Sequence, residues 1–369
     1  MVKKIKTSSL WGVFFLPILL SATCHERVQY EISTGSTTGT YFEIGKNLAK
    51  YIAPDACIDL KVLSSNGSMD NINHLISVDY PNLKFAIVQN DVLQKLRKIA
   101  KEGKGKSQKN AQNLVNNLRV IRPLYNEEIY IITRRDSSIN NFGDLEDKTI
   151  FIGEPNSGTA MTSRLLYKEL FGKKLVKYKT AQPLKSDKKG DFFKRILKKL
   201  SHREIDAIIQ VAGQPVKNLT EEYVPKASSK IIQLISYNEK NTKHKGIENY
   251  YITTIYAKNY PWLKENVSSL STKAFLVTYK YKNSTTISKI KKFVEVLDKK
   301  LPILQREATK KDDTPHPKWK QVSNECNPPL RGGWLYHPVV KEACGNVPPP
   351  PPIEECTEDD EIMNLCKGK

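Results

Sequence analysis

The chain has 369 residues, a formal charge of +20, and 39% hydrophobic and 27% charged residues. That length exceeds what one hydrophobic core usually supports, so two lobes are expected, and the apolar content is sufficient for a packed interior. The lysines and arginines are spread along the chain without zinc-finger spacing or another nucleic-acid module. This argues against nucleic acid as partner and for solvated basic faces with a general attraction to anionic solutes or membrane surfaces.

In chain order, Met1–Cys24 reads as an export signal. Lys3, Lys4 and Lys6 precede the apolar stretch Leu10–Leu20, which is broken by Pro17 and short for a membrane span. Cys24 closes a segment similar to a lipoprotein box, so two outcomes stay open: simple cleavage near Cys24 or lipidation of Cys24. In an oxidising compartment Cys326, Cys344, Cys356 and Cys366 have the partners to pair as Cys326–Cys344 and Cys356–Cys366, with connectivity open, leaving Cys57 as a buried free thiol.

From Val28 to Asn90 the pattern is strand, helix, strand, helix, strand. Tyr41, Ile44, Leu48 and Ile52 fall on one helical face. Ile58–Leu63 reads as a strand, Ser68 as an N-cap for the helix carrying Ile72, Leu75 and Ile76, and Leu83–Val88 as a strand buried on both faces. The lysine-rich stretch Lys101–Asn117 reads as a loop or exposed helix, followed by a strand pair at Leu118–Leu124 and Ile129–Thr133. A second unit runs through the strand Thr149–Ile152, the helix Met161–Phe171 and the strand Ala207–Val211, ended by Gly213–Gln214–Pro215. Tyr250–Ala257 reads as a strand, and Ser268–Tyr279 and Ile287–Leu297 as helices. The resulting expectation is an α/β protein of two lobes, each with its own sheet, with ligands bound at the carboxyl ends of the strands. Its organisation is residues 1–24 signal, 25–123 first lobe, 124–250 second lobe, 251–345 return to the first lobe, and 346–369 a proline-rich acidic tail. The crossings are expected near Leu124–Thr133 and Tyr250–Ala257.

Three Gly/Ser/Thr-rich segments, Ser33–Tyr41, Ser64–Asn71 and Gly153–Thr159, each end a strand and open a helix. Small side chains allow close approach to backbone N–H groups, and a helix N-terminus suits a carboxylate or phosphate. The candidate ligand-binding residues are therefore Ser36, Thr37, Thr40, Tyr41, Asn66, Ser68, Gln89, Tyr125, Ser157, Gly158, Thr159 and Gln214. Capping of the same helices competes with binding for these donors, and Tyr125 competes as an interlobe packing residue.

Several ordered motifs resemble the TAXI-type solute-binding proteins of TRAP transporters. They are Thr34–Tyr41, the Gly-Ser-x-x-Asn turn at Gly67–Asn71, Val88–Asp91, Leu124–Glu127, Asp144–Lys148 and Gly153–Thr159. Ser36, Thr38, Asp147 and Asn156 stand where that family usually has glycine. The resemblance spans roughly Tyr30 to Glu342 and does not include the stretch around Pro315–Pro329 or the tail beyond Gly345. It implies a two-lobed periplasmic-binding-protein-like fold that captures a small carboxylate, glutamate-like or another organic acid, for membrane permease subunits. It also implies a periplasmic location, free or tethered through Cys24, and a monomer.

Catalysis has little support in the sequence. The six histidines show no metal-ligand spacing, and neither a Gly-x-Ser-x-Gly elbow nor a phosphate-binding P-loop occurs. The expectation is a binding protein without catalytic residues, metal or cofactor. An exported enzyme on the same fold and a sensor or antigen that kept the fold without transport are the alternatives.

Overall fold

A computed structural model describes residue 24 and residues 26–345, except 38, 189, 221–223, 239–246, 248 and 310–312. The expected signal segment before Cys24, the pair Cys356 and Cys366, and the acidic tail lie outside the described residues.

The first half of the chain folds as β1 (Val28–Ser33), α1 (Thr40–Asn47), β2 (Ile58–Leu63), α2 (Ser68–Ile76), β3 (Leu83–Gln89), α3 (Asn90–Glu102), α4 (Gly105–Asn117) and β4 (Leu118–Arg134). There follow β5 (Ile150–Phe151), α5 (Gly158–Phe171), β6 (Tyr178–Lys179), α6 (Asp191–Ser201), β7 (Ala207–Ala212), α7 (Lys226–Ile231) and β8 (Ile232–Leu234). The last elements are β9 (Tyr251–Ile255), β10 (Val267–Tyr279), α8 (Ser284–Glu307) and α9 (Pro338–Gly345). The spacing of Tyr41, Ile44, Leu48 and Ile52 gives the first helix and its continuation one buried stripe. β3 is almost wholly buried, as its unbroken apolar run requires of a strand covered on both faces.

The main strand order is β2-β1-β3-β10-β4-β7-β5-β6, with β8 beside β4 and β9 beside β10. β1 is parallel to β2 and β3, and β5 is parallel to β6 and β7. β4 and β10 are long, antiparallel to each other, and run through both halves. Two lobes are visible in how the side chains pack. In the first half of β4 and the second half of β10, Ile121, Leu124 and Leu276 pack towards α1 and α8. On the opposite face Val120, Phe275 and Val277 pack with residues of α2 and α3. In the other half Ile129, Ile131 and Leu270 pack towards α5, while Tyr130 and Ile132 pack towards α6. Where these cores part, Glu128, Glu127 and Asn126 of β4 face Ser271, Thr272 and Lys273 of β10, a polar waist between two apolar lobes.

The hydrogen-bond ladder is not divided between lobes: β4 and β10 carry it across, so a separate sheet in each lobe is wrong and the division lies in packing alone. Leu118–Leu124 and Ile129–Thr133 are one strand, β4, because the polar residues between them stay in the ladder. Ser268–Tyr279 is a strand and not a helix: burial on both faces hides its alternation, and Leu270, Ala274 and Val277 mimic a helical spacing. The return crossing lies in β10 and not at Tyr250–Ala257, where β9 pairs only with the beginning of β10 on the second lobe.

Cys24 is disulfide-bonded to Cys57, so Cys57 is no free thiol and the Cys24 sulfur is not available for a lipid thioether. The expected Cys326–Cys344 bond is present and ties the segment after α8 to α9. Among the described residues no helix is long and apolar enough to cross a membrane.

Candidate functional site

The three Gly/Ser/Thr segments meet because the sheet brings the carboxyl ends of β1, β2 and β3 to one side of the waist and those of β5 and β7 to the other. Asn71 fastens the first-lobe loops together. Its Nδ2 donates to the Thr34 and Ile87 carbonyls, and its Oδ1 accepts from the Ser33 hydroxyl at 2.7 Å. Gly67, which precedes α2, has φ +121°, a conformation that only glycine adopts readily. It lies so near the second lobe that a Cβ there would stand 2.7 Å from the Gly158 backbone nitrogen. A Cβ on Gly158 would in turn stand 2.5 Å from Gln89 Oε1. The Thr40 hydroxyl donates to the Gly213 carbonyl at 3.3 Å, and Tyr250 donates to the Asp91 carboxylate at 3.2 Å, so the lobes are drawn together.

Between them is a cleft of about 490 Å³. Of the residues expected from sequence, Ser36, Thr37, Thr40, Tyr41, Asn66 and Gln89 line it from the first lobe and Ser157, Gly158 and Thr159 from the second. Some of these groups also hold their own loops. Ser157 Oγ accepts the Ala160 N–H at 3.1 Å and caps α5, Thr159 Oγ1 accepts the Val211 N–H at 3.1 Å, and Asn66 Nδ2 donates to Asp70.

Ser68, Tyr125 and Gln214 do not line the cleft. Ser68 is the buried first residue of α2 and not its N-cap; its hydroxyl accepts the Gln89 N–H at 3.0 Å and so positions Gln89. Tyr125 is fully buried at the contact between lobes, near Gly213 and Lys318, which is the packing role. Gln214 stands behind the cleft. Its backbone N–H donates to Glu128 at 2.8 Å, its Nε2 to the Thr254 carbonyl at 2.9 Å, and its Oε1 accepts from Tyr256 and Asn259.

Sequence reasoning missed Glu127, Lys217, His316 and the apolar wall of Phe151, Phe192 and Phe193. Glu127 ends the Leu124–Glu127 motif, which was the available signal. Its carboxyl is 5% exposed and receives the Tyr41 hydroxyl at 2.7 Å. Burial pushes the Glu127 carboxyl up to about 8, and Tyr41 is raised by burial and by Glu127. The neighbouring Glu128 instead pairs with Lys318 at 2.6 and 3.0 Å, both side chains being almost wholly buried. Glu154 on the second lobe is raised by burial as well. The apolar wall comes from the second lobe, where Phe151 and Phe192 meet edge to face at 6.3 Å.

Asp298, Cys326 and Cys344 are the group among the described residues with metal-like spacing, but both sulfurs are committed to a disulfide. The cleft presents donors, a protonatable carboxyl and an apolar wall, an arrangement suited to holding a small polar molecule with an apolar part.

Solved structures of similar architecture include a Bordetella bronchiseptica protein, at 13% identity and TM-score 0.46, covering 88% of this chain and 90% of that one. A Xanthomonas citri protein bound to chloride ion matches at 9% identity and TM-score 0.46, covering 86% and 96%. A putative periplasmic sulfonate-binding protein, SsuA of Methylobacillus flagellatus, matches at 11% identity and TM-score 0.42, covering 82% and 76%. Likeness at this level carries no ligand across. A family profile matches residues 32–309, which takes in both lobes, the crossing strands and the three Gly/Ser/Thr loops of the cleft. The chain belongs to the NMT1-like family.

Proposed function

We propose that this protein is an extracytoplasmic solute-binding protein. It captures a small acid between its lobes and delivers it to the membrane permease of a TRAP-type transporter, without chemistry on the solute. The observation that carries this reading is the cleft itself: loops from two separately packed lobes converge on about 490 Å³ and touch across it through Thr40–Gly213 and Gly67–Gly158. Such a site opens and closes by movement about the waist, which capture and release require. The disulfides Cys24–Cys57 and Cys326–Cys344 favour an oxidising compartment outside the cytoplasm. The backbone N–H groups that open α1 at Thr40 and α5 at Gly158 favour an acidic group on the solute. The TRAP assignment rests on the motif resemblance, and the binding unit is taken as a monomer.

One observation favours a second reading, an exported enzyme. A buried cleft carboxyl near 8 beside a tyrosine hydroxyl is also what a general acid or base looks like. Native mass spectrometry of the purified protein, followed by calorimetric titration of the compound released, separates the two. Recovery of that compound unchanged after prolonged incubation supports capture; its conversion supports the enzyme.

A further inference from the structure

Residues 313–337, between α8 and α9, lie beyond the residues that match the family profile, yet reach the cleft through His316. The segment is firmly held. The Trp319 ring is wholly buried in the first lobe, and its Nε1 donates to Asn47 Oδ1 at 2.9 Å. The His316 N–H donates to the same oxygen at 2.8 Å, and Cys326–Cys344 closes the far end. Lys318 reaches the waist and pairs with Glu128. This strap brings His316 to the cleft lining, at the end formed by Thr40 and Glu43 of α1 and by Pro215–Lys217 of the second lobe.

The imidazole has a defined orientation there. Its Nδ1 accepts the Lys318 N–H at 3.1 Å, which fixes the neutral ring as the Nε2–H tautomer. Nε2 has no partner among the described residues. Burial, aided by the charges of Lys318 and Lys217, lowers the ring to about 3, so it stays neutral through the physiological range. Lys217 lines the same end. Its ammonium is 3.9 Å from Glu43 Oε1, while the other Glu43 oxygen already receives Lys46 at 3.1 Å. Two donors of the cleft therefore lack a strong partner at one end.

We propose that His316 is a ligand-contacting residue, donating its Nε2–H to an oxygen of the solute's acidic group, with Lys217 supplying the balancing charge. The strap thereby adds to the cleft a specificity contact that the family-matched part of the chain does not contain. This rests on the solute-binding reading given above and goes further by locating the acidic group at the strap end.

The test uses L-glutamate, 2-oxoglutarate and benzoate as probes in calorimetric titrations of wild type, His316→Phe and His316→Gln. His316→Phe keeps a ring but loses the donor, and is expected to weaken the best probe on the order of tenfold to a hundredfold. His316→Gln, which retains an N–H, is expected to stay within about threefold, and wild-type affinity to be flat from about pH 5.5 to 7, below the range in which the Glu127 carboxyl of the cleft ionises. Unchanged affinity in His316→Phe, or affinity that climbs steeply below about pH 6.5, overturns the proposal. If none of the probes binds, the small-acid reading is what fails, and ¹⁵N imidazole NMR then decides on His316. A ring held as Nε2–H down to about pH 5 supports the donor, and one titrating near 6.5 overturns it.

Discussion

Replacing Gly67 by alanine should impair closure more than any other single-methyl change in the cleft. Gly67 has φ +121°, so the new side chain strains its own loop by about 1–3 kcal/mol. The added Cβ would also stand 2.7 Å from the Gly158 nitrogen, and reaching an ordinary contact of 3.4 Å requires the backbones of the two lobes to part. If about 2 kcal/mol of this falls on the closed form alone, affinity drops roughly thirtyfold, since about 1.4 kcal/mol is tenfold. Gly158→Ala is the built-in comparison, because its Cβ meets the terminal amide of Gln89, Oε1 at 2.5 Å and Cδ at 3.2 Å, a side-chain end and not backbone. Calorimetry of the co-purified solute gives the affinities, and small-angle X-ray scattering gives the degree of closure. Gly67→Ala should populate a wider form with solute present, and Gly158→Ala much less so. Equal affinity and equal scattering for Gly67→Ala and wild type would refute the reasoning.

Lys318→Met leaves Glu128 buried without its cation and should cost about 3–5 kcal/mol in chemical denaturation; a loss under about 1 kcal/mol would show that the pair is immaterial. Because burial raises Glu127 in the folded state to about 8 from 4.5, the folded form holds the extra proton between those values. Its contribution to stability is therefore fully present below about pH 4.5, declines by at most about 1.4 kcal/mol per pH unit as pH rises, and is gone above about 8. Glu127→Gln should flatten that part of the stability–pH curve, and an unchanged slope would contradict the assignment. Thr40→Ala removes the bond to the Gly213 carbonyl and should weaken solute binding by roughly threefold to tenfold, at about 1 kcal/mol per neutral hydrogen bond, with melting temperature nearly unchanged. Peptide mapping under non-reducing conditions should recover Cys24 linked to Cys57; a lipid adduct on Cys24 would contradict the structure.

The part of the site that was legible in the sequence is the part made from local signals. Gly67–Asn71 and Gly153–Thr159 announce themselves by composition, and both turn out to line or fasten the cleft. The long-range part was not legible. His316 reaches the site only because Trp319 and the Cys326–Cys344 bond anchor a segment remote in sequence from the motif loops. Gln214 sits between Gly213 and Pro215 like a cleft residue, but Glu128 and the Thr254 carbonyl claim its side chain, and neither neighbour is local. The same limit applies to the fold. Strands with one partner face, or a plain apolar run such as Leu83–Val88, read correctly. β10 reads as a helix in the sequence because burial on both faces hides its alternation, its side chains meeting a different core in each lobe.

The measurement that bears most directly on solute capture is a crystal structure of the protein with the compound it retains on purification. The account predicts a small acid enclosed between Ser36–Tyr41 and Ser157–Thr159, touching both lobes, chemically intact, with its acidic oxygen at His316 and Lys217. Density for the compound outside the cleft, or for a cleaved or otherwise altered molecule within it, would contradict the account.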